Sequence, residues 1–343
     1  MAALVAIDAS SGGGQILRNA VALSAVTGRP VRVENIRAAR PQPGLRPQHL
    51  LGLTAAAEVC CAALTGAAIG SREIEFHPQQ IRPRRGWRLD IGTAGSITLV
   101  LQCLLPALAR AAAPTDLTLI GGTDVPFSPP IAYFSEVFVP ALAEIGPSVG
   151  ARCELRGFYP KGGGEVKVEV RPSPFLRPIH WTERGAVTLI RGISYSLGLP
   201  DHIARRMRVS AANTLYAAGY RKLDIRLDAA ERGRSEGCGI VLWAECESGR
   251  RLGASALGEG GKRAERVGEE AAQALLADLA CDAAVDSHLA DQLVVWLALA
   301  DGPSEFTAPR IADHLLSAVQ VAEALTNSRF VVSEGLPVSV HRL

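Results

Sequence analysis

Apolar positions along the chain switch between two periods. Alternation of apolar and polar residues marks short strands ending at Asp8, over VRVENIRA (31–38) and over EIEFHP (73–78). Between them, apolar residues recur every three to four positions and predict helices from about Gln15 to Val26 and from about Pro47 to Leu64. The same order then returns. RLDIG (88–92) leads through Thr93 to Ser96 into a helix reaching about Ala111. LTLIGGTD (117–124), a Pro-rich loop, a helix from Ile131 to Ile145 and the strand RCELRGFYP (152–160) follow. Two copies of one β-α-β-α-β order indicate an internal repeat. Gly162-Gly163-Gly164 with EVKVEVRP (165–172) reads as the opening of a third copy. It resumes at an apolar helix from Leu289 to Ala300, a strand near Glu305 to Thr307, a helix from about Asp313 to Leu325 and the strand RFVVSE (329–334). The interruption carries its own alternation: TLIRGISYSL, a helix near Pro200 to Ala218, LDIRLDAA, GIVLWAECES and a helix near Lys262 to Leu279. The pattern therefore predicts an α/β (α+β) core of three repeats over residues 1–182 and 283–343, and an inserted α/β domain over 183–282.

Composition narrows the picture without deciding it. The chain has 343 residues, of which 48% are hydrophobic and 20% charged, an ordinary globular balance. Net charge is only +2, which gives no sign of nucleic-acid binding through bulk charge. All but four of the 36 basic residues are Arg, the better grip for phosphate. The seven Cys include no C-x-x-C pair, which suggests reduced thiols in a cytoplasmic protein rather than a disulfide or zinc framework. MAALVAIDASSGGGQ lacks a basic start and a signal-length apolar run. The longest apolar stretch is broken by Gln102, Pro106 and Arg110, so no membrane span is expected.

Three features could carry chemistry. The small-residue loops Gly12-Gly13-Gly14 and Thr93-Ala94-Gly95-Ser96 both join a strand to a helix, where free backbone N–H groups and the helix dipole suit phosphate. Arg37 and Arg40 follow the second strand and, with Arg18, could converge on an anion through bidentate contacts. His314 follows Asp313, a candidate N-cap, at the start of an amphipathic helix. A helix N-terminus keeps an imidazole neutral and nucleophilic near pH 7. Gln48 and His49 begin the matching helix of the first copy, so both helices could present polar heads to one cleft. Gly258 to Lys262 has the wrong spacing for a P-loop, and no Rossmann fingerprint occurs.

The segment RGFYPKGGGEV (156–166) resembles the signature of the RNA 3′-terminal phosphate cyclases and their relatives. GGGQILRNA (12–20), NIRAARPQPGLRPQHL (35–50), GTAGSITLVLQ (92–102), GGTDVPFSPP (121–130), HLADQLV (288–294), EFT (305–307) and HLLSAV (314–319) resemble the same family, in the same order. The resemblance covers essentially the whole chain. It implies three β-α-β-α-β-β units and a thioredoxin-like insert. It implies a ligase reaction with nucleotidyl transfer. In that reaction a histidine takes AMP from ATP and passes it to an RNA 3′-phosphate, and the neighbouring 2′-OH then closes a 2′,3′-cyclic phosphate.

Under this resemblance His314 matches the nucleophile. Gln102, Pro130, His288, Leu289, Ala290, Asp291 and Gln292 match ATP-site positions. Arg18, Arg37, Arg40, Gln48 and His49 match positions facing phosphates or the RNA end. ATP, a divalent ion such as Mg²⁺ or Mn²⁺ and an RNA with a 3′-phosphate are the implied cofactors and partner. The sequence leaves the oligomeric state open, a homodimer included. Two positions depart from the family pattern. Ser10-Ser11 stand where a metal-associated Glu is common, leaving Asp8 as the nearest carboxylate, and His288 stands where a Tyr is usual. A non-catalytic RNA-binding or ribosome-assembly relative is the alternative, although such relatives lack the histidine. An enolpyruvyl-transferase-like enzyme ranks below both, because only Lys161 lies beside a Gly cluster. The insert is expected to be dispensable for self-adenylylation.

Overall fold

The computed structural model describes residues 3–228 and 233–343. Three four-stranded sheets repeat one topology. In the first, β1 (Val5–Asp8) pairs in parallel with β2 (Val31–Glu34), and β4 (Ile74–His77) lies antiparallel between β2 and β3 (Ala63–Thr65). Helices α1 (Gly14–Thr27) and α2 (Pro47–Val59) connect them. The second unit repeats this order with β5 (Trp87–Asp90), β6 (Thr115–Gly121), β7 (Ser148–Leu155) and β8 (Gly164–Arg171). Its connections are α3 (Ile97–Leu108) and a helical run made of α4 (Ile131–Tyr133), a π turn (Phe134–Phe138) and α5 (Val139–Ile145). The third unit opens at β9 (His180–Trp181), pauses for the insert, and resumes at α8 (Ser287–Ala298), β14 (Ser304–Ala308), α9 (Asp313–Leu325), β15 (Phe330–Ser333) and β16 (Val338–Arg342). Inside the pause, β10 (Val187–Leu197), α6 (His202–Ala217), β11 (Leu223–Asp228), β12 (Gly237–Cys246), β13 (Arg251–Leu257) and α7 (Ala264–Leu279) build a sheet of order β11-β10-β12-β13. Residues 229 and 230, the end of LDIRLDAA, lie outside the described residues.

Two expectations about the repeat need correction. EVKVEVRP closes the second unit instead of opening the third. It pairs antiparallel with β6 from Thr115↔Val170 to Gly121↔Gly164, which buries its alternate Val residues. The glycines before it form a turn, with Gly162 and Gly163 at φ +66° and +74°. The pattern also missed β3 in the first unit and β9 and β16 in the third. β3 has only three residues, and RCELRGFYP leaves the ladder after Leu155.

Local chemistry explains the irregular helix. Pro140 has no N–H, so the carbonyl of Glu136 four residues earlier loses its helical donor. Arg251 of the insert donates to that carbonyl at 2.9 Å, which satisfies the group where the π turn widens the backbone. Helix α3 is apolar on nearly every side and is packed by α1, α2 and α8. Gln102 is its only amide, and its Nε2 donates to Gln292 Oε1 at 3.1 Å, so the polar group is paired across the helix interface.

The insert's sheet is buried on both faces. Ile240, Leu242 and Ala244 of β12 pack with α6 and α7, whereas Val241 and Trp243, one residue out of phase, join the main core. Polar contacts reinforce the seam. Arg156 pairs with Asp124 at 2.9 Å and stacks 3.6 Å over the Tyr195 ring, and the Tyr195 hydroxyl donates to Asp124 at 2.6 Å. No helix among the described residues is long and apolar enough to cross a membrane.

Candidate active site

The N-terminus of α1 forms the floor of a cradle. Gly13 is its N-cap and supplies no side-chain cap, so the first-turn N–H groups point outward. A Cβ on Gly14 would lie 2.2 Å from His49 Nε2 and 3.0 Å from Arg18 Nη1, and one on Gly13 would lie 3.2 Å from Arg40 Nη2. Arg18, Arg40 and His49 therefore converge on backbone that only glycine leaves open. Gln15 Oε1, Arg18 Nε and Asn19 Nδ2, all on the first turns of α1, are buried without a hydrogen-bond partner among the described residues. Buried orphans of this kind are uncommon and fit a site built for a polar ligand.

His49 is 6% exposed. Its Nδ1 accepts the Arg46 N–H at 3.2 Å, which leaves Nε2 as the protonated nitrogen facing Gly14. Burial, then the charges of Arg18, Arg37 and Arg46, push its pKa down to about 3, so the ring is a neutral donor. Burial lowers Arg18 to about 10, which still leaves it cationic.

His314 sits in the first turn of α9. Asp313 is not its cap: Ala312 occupies that position without a side-chain bond, and Asp313 is the first helical residue. The imidazole lies close enough to the cradle for Arg18 and Arg40, after partial burial, to lower its pKa, with Asp313 opposing. A neutral His314 thus faces the same charges that would receive an anion.

One residue ties the two helices to a third. Gln15 Nε2 donates to Asp291 Oδ2 at 2.8 Å and to the His314 carbonyl at 3.1 Å, clasping α1, α8 and α9. Burial raises Asp291 to about 7 against the pull of His288 and Arg18. Residue type alone gives Gln15 no role, although its place directly after the Gly triplet puts it in the first turn.

The remaining candidates separate into two groups. His288 is exposed at the start of α8, its ring edge-on to Tyr133 at 6.2 Å, and Gln292 Nε2 donates to the His288 carbonyl at 2.7 Å. Pro130, buried, caps α4 three residues before Tyr133. Gln102 reaches this group through Gln292. By contrast Leu289 and Ala290 are buried in the core and present no side chain to a ligand. Asp286 holds this turn. Its Oδ1 accepts the Tyr133 hydroxyl at 2.7 Å and the N–H groups of His288 and Leu289 at 2.9 Å each, and its Oδ2 accepts the Gly253 N–H from the insert at 2.9 Å. This Asp N-cap places the helix start at Ser287, ahead of the expected Leu289.

Arg37 is spent on its own loop, donating through Nη1 to the carbonyls of Gln42 and Gly44 at 2.7 and 2.9 Å. Gln48 Oε1 accepts the Ser96 N–H at 2.8 Å, linking the start of α2 to the second small-residue loop. Asp8 is also engaged: Ser10 and Asn35 hold its oxygens at 2.8 to 3.1 Å and depress its pKa, Asn35 foremost. No group of three His, Cys, Asp or Glu able to hold a metal occurs among the described residues. These residues do not fit a resident metal site.

The family model described as RNA 3′-terminal phosphate cyclase matches residues 9–332. The chain belongs to that family. Proteins named RNA 3′-terminal phosphate cyclase from Caldivirga maquilingensis, Pyrobaculum neutrophilum and Archaeoglobus fulgidus are 46%, 42% and 48% identical to it. The matches span 95%, 97% and 91% of this chain and 93%, 96% and 92% of those proteins. The matched span, residues 9–332, includes the segments that form the cradle.

Proposed function

We propose that the chain is an ATP-dependent RNA 3′-terminal phosphate cyclase acting through a covalent AMP adduct on His314. The observation that carries this reading is the placement of the first turn of α9, with His314, against the open N-terminus of α1, where Gln15 donates to the His314 carbonyl at 3.1 Å and Arg18 and Arg40 converge on Gly13 and Gly14. The same two cations favour the neutral imidazole. A neutral imidazole is the nucleophilic form, and the cations and helix end stabilise phosphate charge as it develops.

In the first step an imidazole nitrogen attacks the α-phosphorus of ATP, forming an N–P bond while the bond to the β-phosphate oxygen breaks and pyrophosphate leaves. An oxygen of the RNA 3′-phosphate then attacks the same phosphorus and releases the histidine. Finally the vicinal 2′-OH attacks the 3′-phosphorus, loses its proton and expels AMP, leaving the cyclic phosphate. The activation is needed because a bare phosphate has no leaving group better than oxide. Arg18, Arg40 and His49 would hold the phosphates. His288, Pro130 and the Gln102–Gln292 pair would border the base, and Asp291 with Gln15 would fix the backbone under His314. A divalent ion would arrive as the counter-ion of ATP, as part of the substrate. Residues 1–182 and 283–343 would form the catalytic core around the 183–282 insert.

The test is incubation with ATP labelled at the α-phosphate and Mg²⁺ or Mn²⁺. Acid-labile label is expected on the wild type and absent from His314→Asn. An unlabelled, folded wild type would sink the covalent mechanism. The engaged Asp8 and the Ser10-Ser11 pair would then favour a non-catalytic RNA-binding relative.

A further inference from the structure

Loops 124–130 and 156–163 leave a parallel bridge between Asp124 and Phe158, so both run outward in the same direction. Their roots are pinned. The N–H groups of Thr123 and Asp124 donate to the Gly157 carbonyl at 2.8 and 3.2 Å, and the Phe158 N–H donates to Ser235 Oγ at 2.7 Å. Their tips carry aromatic rings that the fold does not use: Phe127 is 100% exposed and Tyr159 is 69% exposed. Phe127 also has φ +62°. Holding a bulky residue there costs free energy, and a fully exposed ring recovers none of it by burial.

Two cations flank these rings. Lys161 is exposed beyond Tyr159, and Arg234 is exposed with its Cβ 3.5 Å from the place a Cβ on Gly163 would take. Neither has a carboxylate partner among the described residues. The platform is continuous with the cradle. The Gly162 turn packs on Thr93 and Ala94, the same loop donates from Ser96 to Gln48, and Gln48 precedes His49.

Separate exposed aromatics, with nearby cations that have no carboxylate partner among the described residues, suit unstacked nucleobases and their phosphates. A protein partner would instead want one contiguous apolar patch. We infer that Phe127 and Tyr159 stack the bases just upstream of the RNA 3′ end, with Lys161 and Arg234 on the intervening phosphates. The placement of the 3′ end rests on the cyclase reading. Stacking is sequence-tolerant, so this subsite selects unpaired length rather than base identity.

The experiment measures binding of 3′-phosphorylated oligoribonucleotides of increasing length, by competition against a fluorescent RNA, in parallel with self-adenylylation from ATP alone. The wild type should gain about tenfold or more in Kd for each base that stacks. Phe127→Asn, which keeps a residue tolerant of positive φ, and Tyr159→Ser should each erase one such gain. Both should bind the shortest RNA and label with AMP as the wild type does. Lys161→Gln should flatten the salt dependence of the longer RNA only. Unchanged length dependence in the variants, or a wild type with no length gain, overturns the platform. Weakened labelling, or equal losses at every length, assigns the rings to the nucleotide pocket or the fold and also overturns it. Binding requires no catalysis, so a wild type that fails to label sinks the cyclase reading while this measurement still decides the platform.

Discussion

The first and second units carry the same kind of loop, with opposite outcomes. At α1 the Gly12–Gly14 loop leaves the helix end uncapped and surrounds it with Arg18, Arg40 and His49. At α3 the Thr93–Ser96 loop closes on itself. Ser96 Oγ accepts the Leu99 N–H at 3.3 Å and the Ser96 N–H is taken by Gln48. One Ser in place of a Gly, and one Gln reaching across, turn a potential anion site into a packed joint. Composition alone makes both loops phosphate candidates. What distinguishes them is whether the N–H groups already have partners.

The comparison breaks most sharply at Gly14. Gly14→Ala would push a methyl into His49 Nε2, 2.2 Å away, and should cut the rate of self-adenylylation by about a hundredfold or more while circular dichroism stays native. Near-normal labelling of that variant would mean the cradle is not where phosphate binds.

Arg40→Ala should act next most strongly. Losing a charge-assisted contact raises KM for ATP or for the RNA end by about tenfold or more. It should also move the acid limb of the pH–rate profile. Burial, Arg18 and Arg40 lower the His314 pKa, so its neutral form persists below the ordinary imidazole value, and activity should fall only as pH drops through that lowered pKa. Removing Arg40 should shift the limb upward, toward 6.5. A limb that stays fixed would place Arg40 too far away to matter.

The smallest effect belongs to the closed loop. Ser96→Ala removes a cap and should cost about 1 kcal/mol in denaturant unfolding, with labelling changed by no more than a few fold. A large loss of activity with intact stability would show that this loop also handles phosphate.

The repeated units were legible in the sequence because period-2 and period-3.6 segments alternate in the same order twice. The frame of the third was not, since EVKVEVRP looks alike as a first or a last strand, and β9 has only two residues. His314, Arg18, Arg40 and His49 were legible as candidates from residue type and loop position, and the structure brings them together. Arg37 looked equivalent to Arg40. Only the backbone shows it bracing Gln42 and Gly44 instead. Gln15 and Asp286 escaped because their partners lie on elements far away in the chain. The contacts of the insert were not legible either: Gly253 donates to the Asp that caps α8, and Val241 and Trp243 belong to the main core.

Arg184 has a consequence for how the chain reaches this fold. Residues 179 and 304 must meet although 125 positions separate them, an expensive loop to close from an open chain. Arg184 donates to the carbonyls of Leu279 and Cys281 at 3.2 and 3.4 Å, pinching the two ends of the insert together. An insert that folds first turns that long closure into a short one, so it acts as a built-in staple for the third sheet. Arg184→Ala should therefore slow refolding in stopped-flow measurements more than it speeds unfolding.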